Sequence, residues 1–327
     1  MRWLALFVLC ASAVAYADDP PLPSLTDDPV LGKSPLRVDG DETHGVVAFT
    51  FDDGPNPETT PDVIAALEKY DIPATFFIVT QRLSGEKGRT VLAKELSDGF
   101  TVGSHSVTHR NLKNATGETI TKEIDASFRR LATVANRPIG LFRPPYGALS
   151  GAGRSRLRQL GVTEVIWSID TLDWKAHDAD RLRKKVLKMI LQQNGGIVLM
   201  HDVKPITAKI IADVLDDLEA ENCRRLDAKQ EPIWPVSVHY FIKNDKKTAR
   251  PIPDAVAKRT GAYKAALPGR CAKRTKTASS DATPGMGDFP TRTQPPPSLT
   301  HVSQKCLDNP LAHGCDTSRT DPTDTRR

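Results

Sequence analysis

Long apolar runs and cysteines spaced to hold a structural metal are both missing from this 327-residue sequence. Past the N-terminus no apolar stretch approaches the ~20 residues that a membrane-spanning helix needs, so no transmembrane span is expected. None of the five cysteines (Cys10, Cys223, Cys271, Cys306, Cys315) forms a Cys-x-x-Cys pair, which argues against a structural zinc site. Periodicity is scarce at both ends. The stretch 18–44 holds five prolines and little pattern, so it reads as a lead-in. Past Asp245 there are ten prolines, many Thr and Ser, and no sustained apolar period, so 244–327 reads as a disordered low-complexity tail. A strong overall charge is lacking too, at a formal net +5. From Asn244 onward 15 Lys and Arg face 8 Asp and Glu, a net +7, which leaves 18–243 at −3. The body is therefore not basic, and no nucleic-acid partner is expected. The tail could tether the protein to an anionic cell envelope polymer, or be no more than a solvated extension.

The remaining composition, 39% hydrophobic and 26% charged, is that of a globular chain. The N-terminus reads as a secretory signal over 1–17. Arg2 supplies the positive start, Trp3 to Val14 the short apolar region, and Ala15-Tyr16-Ala17 the small-x-small cleavage pattern. Export to the periplasm or outside the cell is expected. In such an oxidising compartment the four remaining cysteines favour disulfides. Three pairings are open, and the sequence does not choose between them. The mature chain is expected to be a monomer.

Between 45 and 243 strand-like and helix-like runs alternate. The strands are read at 46–51, 74–80, 101–105, 140–143, 162–169, 196–201 and 236–242. Thr60-Pro61 starts one helix, with proline at its tolerated first position. Gly99 ends the next, and Thr116 opens one that stops before Pro138. Asp178 opens another, whose Leu182, Val186, Met189 and Ile190 share a face. Repeated βα units argue an α/β fold with a parallel sheet. About seven strands in this length fit a distorted or incomplete (β/α) barrel, with an open doubly wound sheet as the alternative.

In either architecture active sites gather at the carboxyl ends of the strands. Those ends carry Asp52-Asp53-Gly54, then His105 to His109, then Arg143-Pro144-Pro145-Tyr146, then Asp170 to Trp174, then Leu199-Met200-His201-Asp202. Two adjacent carboxylates turned into one pocket must take different jobs, such as one holding a metal and one a proton. His105 and His109 are four apart, and with a carboxylate they make a two-histidine set that leaves a metal position open, the catalytic rather than the structural pattern.

These five stretches, in this order over about 45–243, resemble the polysaccharide deacetylase family, the group of the NodB homology domain. The resemblance implies a distorted (β/α) barrel and a metal-dependent hydrolase that removes N-acetyl groups from an N-acetylglucosamine polysaccharide of peptidoglycan or chitin type. It implies Asp53, His105 and His109 as ligands of one divalent metal, zinc or a similar ion such as cobalt. Asp52 would be the base and Arg143 its partner. His201 would be the acid, held protonated by Asp173. The Tyr146 backbone N–H would stabilise the oxyanion, and Trp174 and Leu199 would line the acetyl pocket. Asp170 and Asp202 are left as structural. Xylan-type O-acetyl esterases belong to the same family, and a carbohydrate- or wall-binding protein with a vestigial site is the competing class.

Overall fold

The structure is a computed structural model, and it describes residues 37–40, 44–242 and 254–280. The stretch 1–17 read as a signal, most of the lead-in and the chain beyond 280 lie outside the described residues. The strands are β1 (Arg37–Val38), β2 (Val46–Asp52), β3 (Ala74–Ile78), β4 (Thr101–Ser104), β5 (Leu141–Phe142), β6 (Thr163–Val165), β7 (Ile169–Asp170), β8 (Gly195–His201) and β9 (Trp234–Pro235). The helices are α1 (Thr60–Lys69), α2 (Glu86–Ser97), α3 (Gly117–Ile120), α4 (Ala126–Ala135), α5 (Gly151–Gln159), α6 (Ala179–Gln193), α7 (Pro205–Asp227), α8 (His239–Ile242) and α9 (Asp254–Ser280). A π-helical turn over Thr121–Asp125 joins α3 to α4.

All strand pairs are parallel, in the order β1-β6-β5-β4-β3-β2-β8-β7, with β9 beside the start of β2. Chain continuity decides between a barrel and an open sheet. Only residues 166–168 join β6 to β7, a link of at most ~14 Å. The two strands lie six places apart in the sheet, which would be ~29 Å if the sheet were flat. The sheet must therefore curl, as the incomplete barrel requires. Alternation along β2 sorts its side chains. Val47, Phe49 and Phe51 join the core under the helices, whereas Ala48 joins Phe77, Leu141, Val165 and Ile197 in a separate cluster. Thr50 and Asp52 share the Ala48 face, and that face ends at the rim formed by the carboxyl ends of the strands. The α6 reading holds: Asp178 caps it by accepting the Arg181 N–H at 3.0 Å, and Leu182, Val186 and Ile190 are buried.

Three readings need correction. The run 162–169 is two strands, not one. The run 236–242 is not a strand: β9 ends at Pro235 and α8 follows. Val236, Val238, Phe241 and Ile242 all reach the Ala48 cluster, and a short helical turn presents the last two there without a ladder. The 244–327 segment is not structureless throughout, because α9 packs onto the barrel. Its buried Val256, Thr260, Tyr263, Leu267 and Cys271 recur at helical spacing. The stripe hides in the sequence because lysines, alanines, Gly261, Pro268 and Gly269 surround it. Cys271 is bonded to Cys223 of α7, Asn222 donates to the Tyr263 hydroxyl at 3.0 Å, and Arg270 pairs with Glu219 at 2.7 Å.

The bridge spans 48 residues, so Cys271→Ser is expected to cost about 2–4 kcal/mol of stability. Denaturant unfolding measures it. An unchanged midpoint would mean that α9 holds by packing alone.

Candidate active site

β2 and β8 are neighbours in register, and the pairing sets Asp52 beside His201 and Thr50 beside Leu199. Register partners in a parallel sheet point to the same face, so the expected base and acid come from adjacent strands. Arg143, just past β5, is fully buried. Its Nη1 donates to Asp52 Oδ1 at 2.8 Å and to Thr50 Oγ1 at 2.7 Å. Its Nε and Nη2 donate to the Val165 and Ile166 carbonyls, each at 3.1 Å. The guanidinium lies 4.2 Å from the Phe77 ring centroid. So many fixed bonds allow Asp52 little freedom. Burial pushes the Asp52 carboxyl up from its ordinary value, against the downward pull of Arg143.

Asp53, His105 and His109 offer three ligand atoms within 4.8 Å of one another. Asp53 Oδ1 lies 3.6 Å from His105 Nε2 and 3.2 Å from His109 Nε2. That oxygen is buried and accepts no hydrogen bond, an expensive state for a carboxylate unless something else occupies it. His105 Nδ1 lies 2.7 Å from the Arg143 carbonyl. The carbonyl can only accept, so the proton sits on Nδ1 and Nε2 keeps its lone pair for the site. Burial pushes the His105 pKa down to about 3, which favours the neutral ring that a metal requires. One carboxylate with an orphaned oxygen and two imidazoles fit a divalent cation.

On the other side of Asp52, Asp173 clamps His201 twice. Its Oδ1 lies 2.8 Å from His201 Nδ1, and its Oδ2 accepts the His201 N–H at 2.7 Å. The Thr207 hydroxyl also donates to Oδ2, at 2.6 Å. Burial alone would lower the His201 pKa, but the hydrogen bond and charge of Asp173, with the charges of Asp52 and Asp53, carry it up to about 9.

The remaining residues differ in placement. Tyr146 and Trp174 are exposed, and the Tyr146 ring packs edge-on to His109 at 4.7 Å between centroids. Leu199 is buried within β8. Asp202, read as structural, is buried and ties β8 to α1 by accepting the Thr59 and Thr60 hydroxyls on its carbonyl and carboxylate. A Cβ on Gly54 would collide with that carboxylate, so the turn after Asp53 needs glycine. Asp53, Ser106, His109, Tyr146 and Leu172 all hold left-handed backbone, a clustering found where function dictates shape. The sequence reading gave no role to Thr50, although Thr50-Phe51-Asp52-Asp53-Gly54 is its first motif, and passed over Thr207 and Glu123; these hold Arg143, Asp173 and the histidine loop. Neither Thr207 nor Glu123 stands inside a chemical motif with a local signal of its own.

The sequence profile described as polysaccharide deacetylase matches residues 39–165. The chain is 32% identical over 169 residues to the chitooligosaccharide deacetylase of Azorhizobium caulinodans, which covers 51% of this chain and 79% of that protein. It is 30% identical over 211 residues to the peptidoglycan-N-acetylglucosamine deacetylase PgdA of Listeria monocytogenes. That match covers 64% of this chain and 44% of PgdA, so the chain spans less than half the length of that curated relative. The fold superposes on a solved peptidoglycan N-acetylglucosamine deacetylase with a TM-score of 0.51 at 26% identity, over 57% of this chain and 87% of that one. No helix among the described residues is long and apolar enough to cross a membrane.

Proposed function

This chain belongs to the polysaccharide deacetylase family, and from that membership we propose that it is an exported, zinc-dependent hydrolase of N-acetyl groups on an N-acetylglucosamine polysaccharide of peptidoglycan or chitin type. The observation that carries the reading is one juxtaposition. Asp52, paired with Arg143, lies 3.6 Å from His105 of the Asp53, His105 and His109 cluster, and its register neighbour on β8 is His201, which pairs with Asp173.

The net change is amide plus water to amine plus acetate, and each residue has a part in it. A divalent metal held by Asp53, His105 and His109 would supply a Lewis acid that acidifies water and polarises the acetyl carbonyl. Asp52 takes the proton of the attacking water, and Arg143 fixes the carboxylate that receives it. The Tyr146 backbone N–H donates to the oxygen that gains charge as the carbonyl becomes tetrahedral. His201 gives its proton to the leaving nitrogen, because an amine anion is a poor leaving group. Asp173 keeps that proton on His201. Trp174 and Leu199 line the acetyl pocket. The relatives' names point to peptidoglycan and chitin-type substrates. Of the basic residues from Asn244 onward, Arg270 and Arg274 are paired with Glu219 and Asp216, and the rest are what an anionic envelope polymer would meet.

The test is acetate release from N-acetylglucosamine oligomers and peptidoglycan. Release that a chelator stops and zinc restores is the expected result. Release from acetylated xylan alone would make the protein an O-acetyl esterase. Polymer binding without release under any metal would make it a binding protein.

A further inference from the structure

We propose that Glu123 is a positioning residue for the metal centre: its carboxylate holds the loop that carries both histidines. The proposal rests on the reading that Asp53, His105 and His109 bind a divalent metal.

The loop from His105 to His109 has an unfavourable backbone, with Ser106 at φ 69 and His109 at φ 62. Such conformations are costly for side-chain-bearing residues unless other bonds enforce them. The enforcing bonds are on all sides. The His105 N–H donates to the Ile78 carbonyl at 2.8 Å, and the Ser106 and Val107 carbonyls accept from the Thr80 and Gln81 N–H groups at 3.1 and 3.0 Å. The His109 N–H donates to Ser106 Oγ at 3.0 Å. The middle of the loop is held by Glu123. Its Oε2 accepts the Val107 N–H at 3.1 Å and the Thr108 N–H at 2.9 Å, and its Oε1 accepts the Thr108 hydroxyl at 2.6 Å.

Three donors converging on one carboxylate make a strong tie, since bonds to a charged acceptor exceed neutral ones. Glu123 is itself buried, at 6% exposure, and unlike a surface side chain it cannot swing away into water. It sits in the π turn over Thr121–Asp125. Single π turns are rare and concentrate at functional sites. The path is then short: the π turn fixes Glu123, Glu123 fixes Val107 and Thr108, and His109 follows directly. His109 is half-buried and, unlike His105, has no carbonyl partner on its ring among the bonds described, so its placement depends on the backbone that carries it.

The experiment is zinc affinity by competition with a chromogenic chelator, run with amide hydrogen exchange on the metal-free protein. Glu123→Ala is expected to weaken zinc binding about 10–100-fold, the usual effect of losing a group that orients a ligand. The Val107 and Thr108 amides should lose protection. Glu123→Gln should recover most of both, because its amide oxygen can still accept two N–H groups and its amide NH₂ can donate to the Thr108 hydroxyl. Thr108→Val, which removes one bond of three, should cost a few-fold and covers the case in which Glu123→Ala does not fold. Wild-type affinity in Glu123→Ala, or equal losses in the Ala and Gln variants, would overturn the proposal. Zinc binding that survives His105→Ala would instead sink the metal reading, and the amide protection would still decide whether Glu123 holds the loop.

Discussion

Asp52→Asn is expected to retain a bound metal and lose about 10²–10⁴-fold in rate, the usual worth of a general base. The side-chain oxygen of asparagine can still accept from Arg143 Nη1, which now lies 2.8 Å from Asp52 Oδ1. Thr50 still accepts from the same guanidinium. What disappears is the site that can take a proton. Removing one charge of a buried pair also destabilises, by up to about 3–5 kcal/mol where no partner remains, so unfolding should be measured beside the rate. Asp53→Asn should give the reverse, an emptied metal site. The left-handed backbone at Asp53, φ 74, is one that asparagine tolerates, so metal loss there would report a lost ligand and not a broken turn. Zinc stoichiometry with acetate release separates the two. Metal lost from Asp52→Asn and kept by Asp53→Asn would show the carboxylate roles to be exchanged.

The parts legible from sequence are those with local signals. Asp52-Asp53-Gly54 closes an apolar run with a turn, Asp178 precedes a 3.6-residue stripe, and Thr60-Pro61 opens a helix. Each can be read within a few residues, and each stands in the structure where it was placed. The strand ends converge because a parallel sheet puts all its carboxyl ends on one rim. The failures at α9, at 236–242 and at Glu123 have one cause, burial decided by distant partners. Val256, Thr260, Tyr263, Leu267 and Cys271 are at helical spacing but too mixed in polarity, and too interrupted by Gly261, Pro268 and Gly269, to read as an apolar face until α7 is known to present Cys223 and Asn222 to them. The run 236–242 has strand-like composition, but the interior cluster takes Phe241 and Ile242 from a helical turn. Glu123 looks like any glutamate on a helix, and its work shows only when the loop of Val107 and Thr108 lies against it. Arg143 is intermediate. Its motif marks it, yet its depth of burial comes from β6 and the Phe77 ring, which no motif records.

Asp173→Asn should pull the high-pH limb of the rate profile down and strip most activity at neutral pH. The sign follows from what raises His201. Burial pushes its pKa down, whereas Asp173 and the nearby carboxylates lift it to about 9. The protonated ring, the form that can give a proton to the leaving nitrogen, is therefore the main species below about 9. With Asp173 neutralised the largest upward contribution goes, burial dominates, and the limb moves toward or below the ordinary imidazole range near ~6.5. Geometry deepens the loss. Asp173 Oδ2 already accepts two donors, the His201 N–H and the Thr207 hydroxyl. An asparagine satisfies both only by placing its oxygen there. Its NH₂ then faces His201 Nδ1, which must accept from it and so cannot carry a proton. The ring is left neutral and is a weaker acid towards the amine. Each unit of lowered pKa removes about tenfold of the protonated fraction once the working pH lies above it. The profile of kcat/KM against pH for the two proteins, with zinc content equal in both, checks this. A limb unmoved in Asp173→Asn would assign the proton on the leaving nitrogen to a group other than His201.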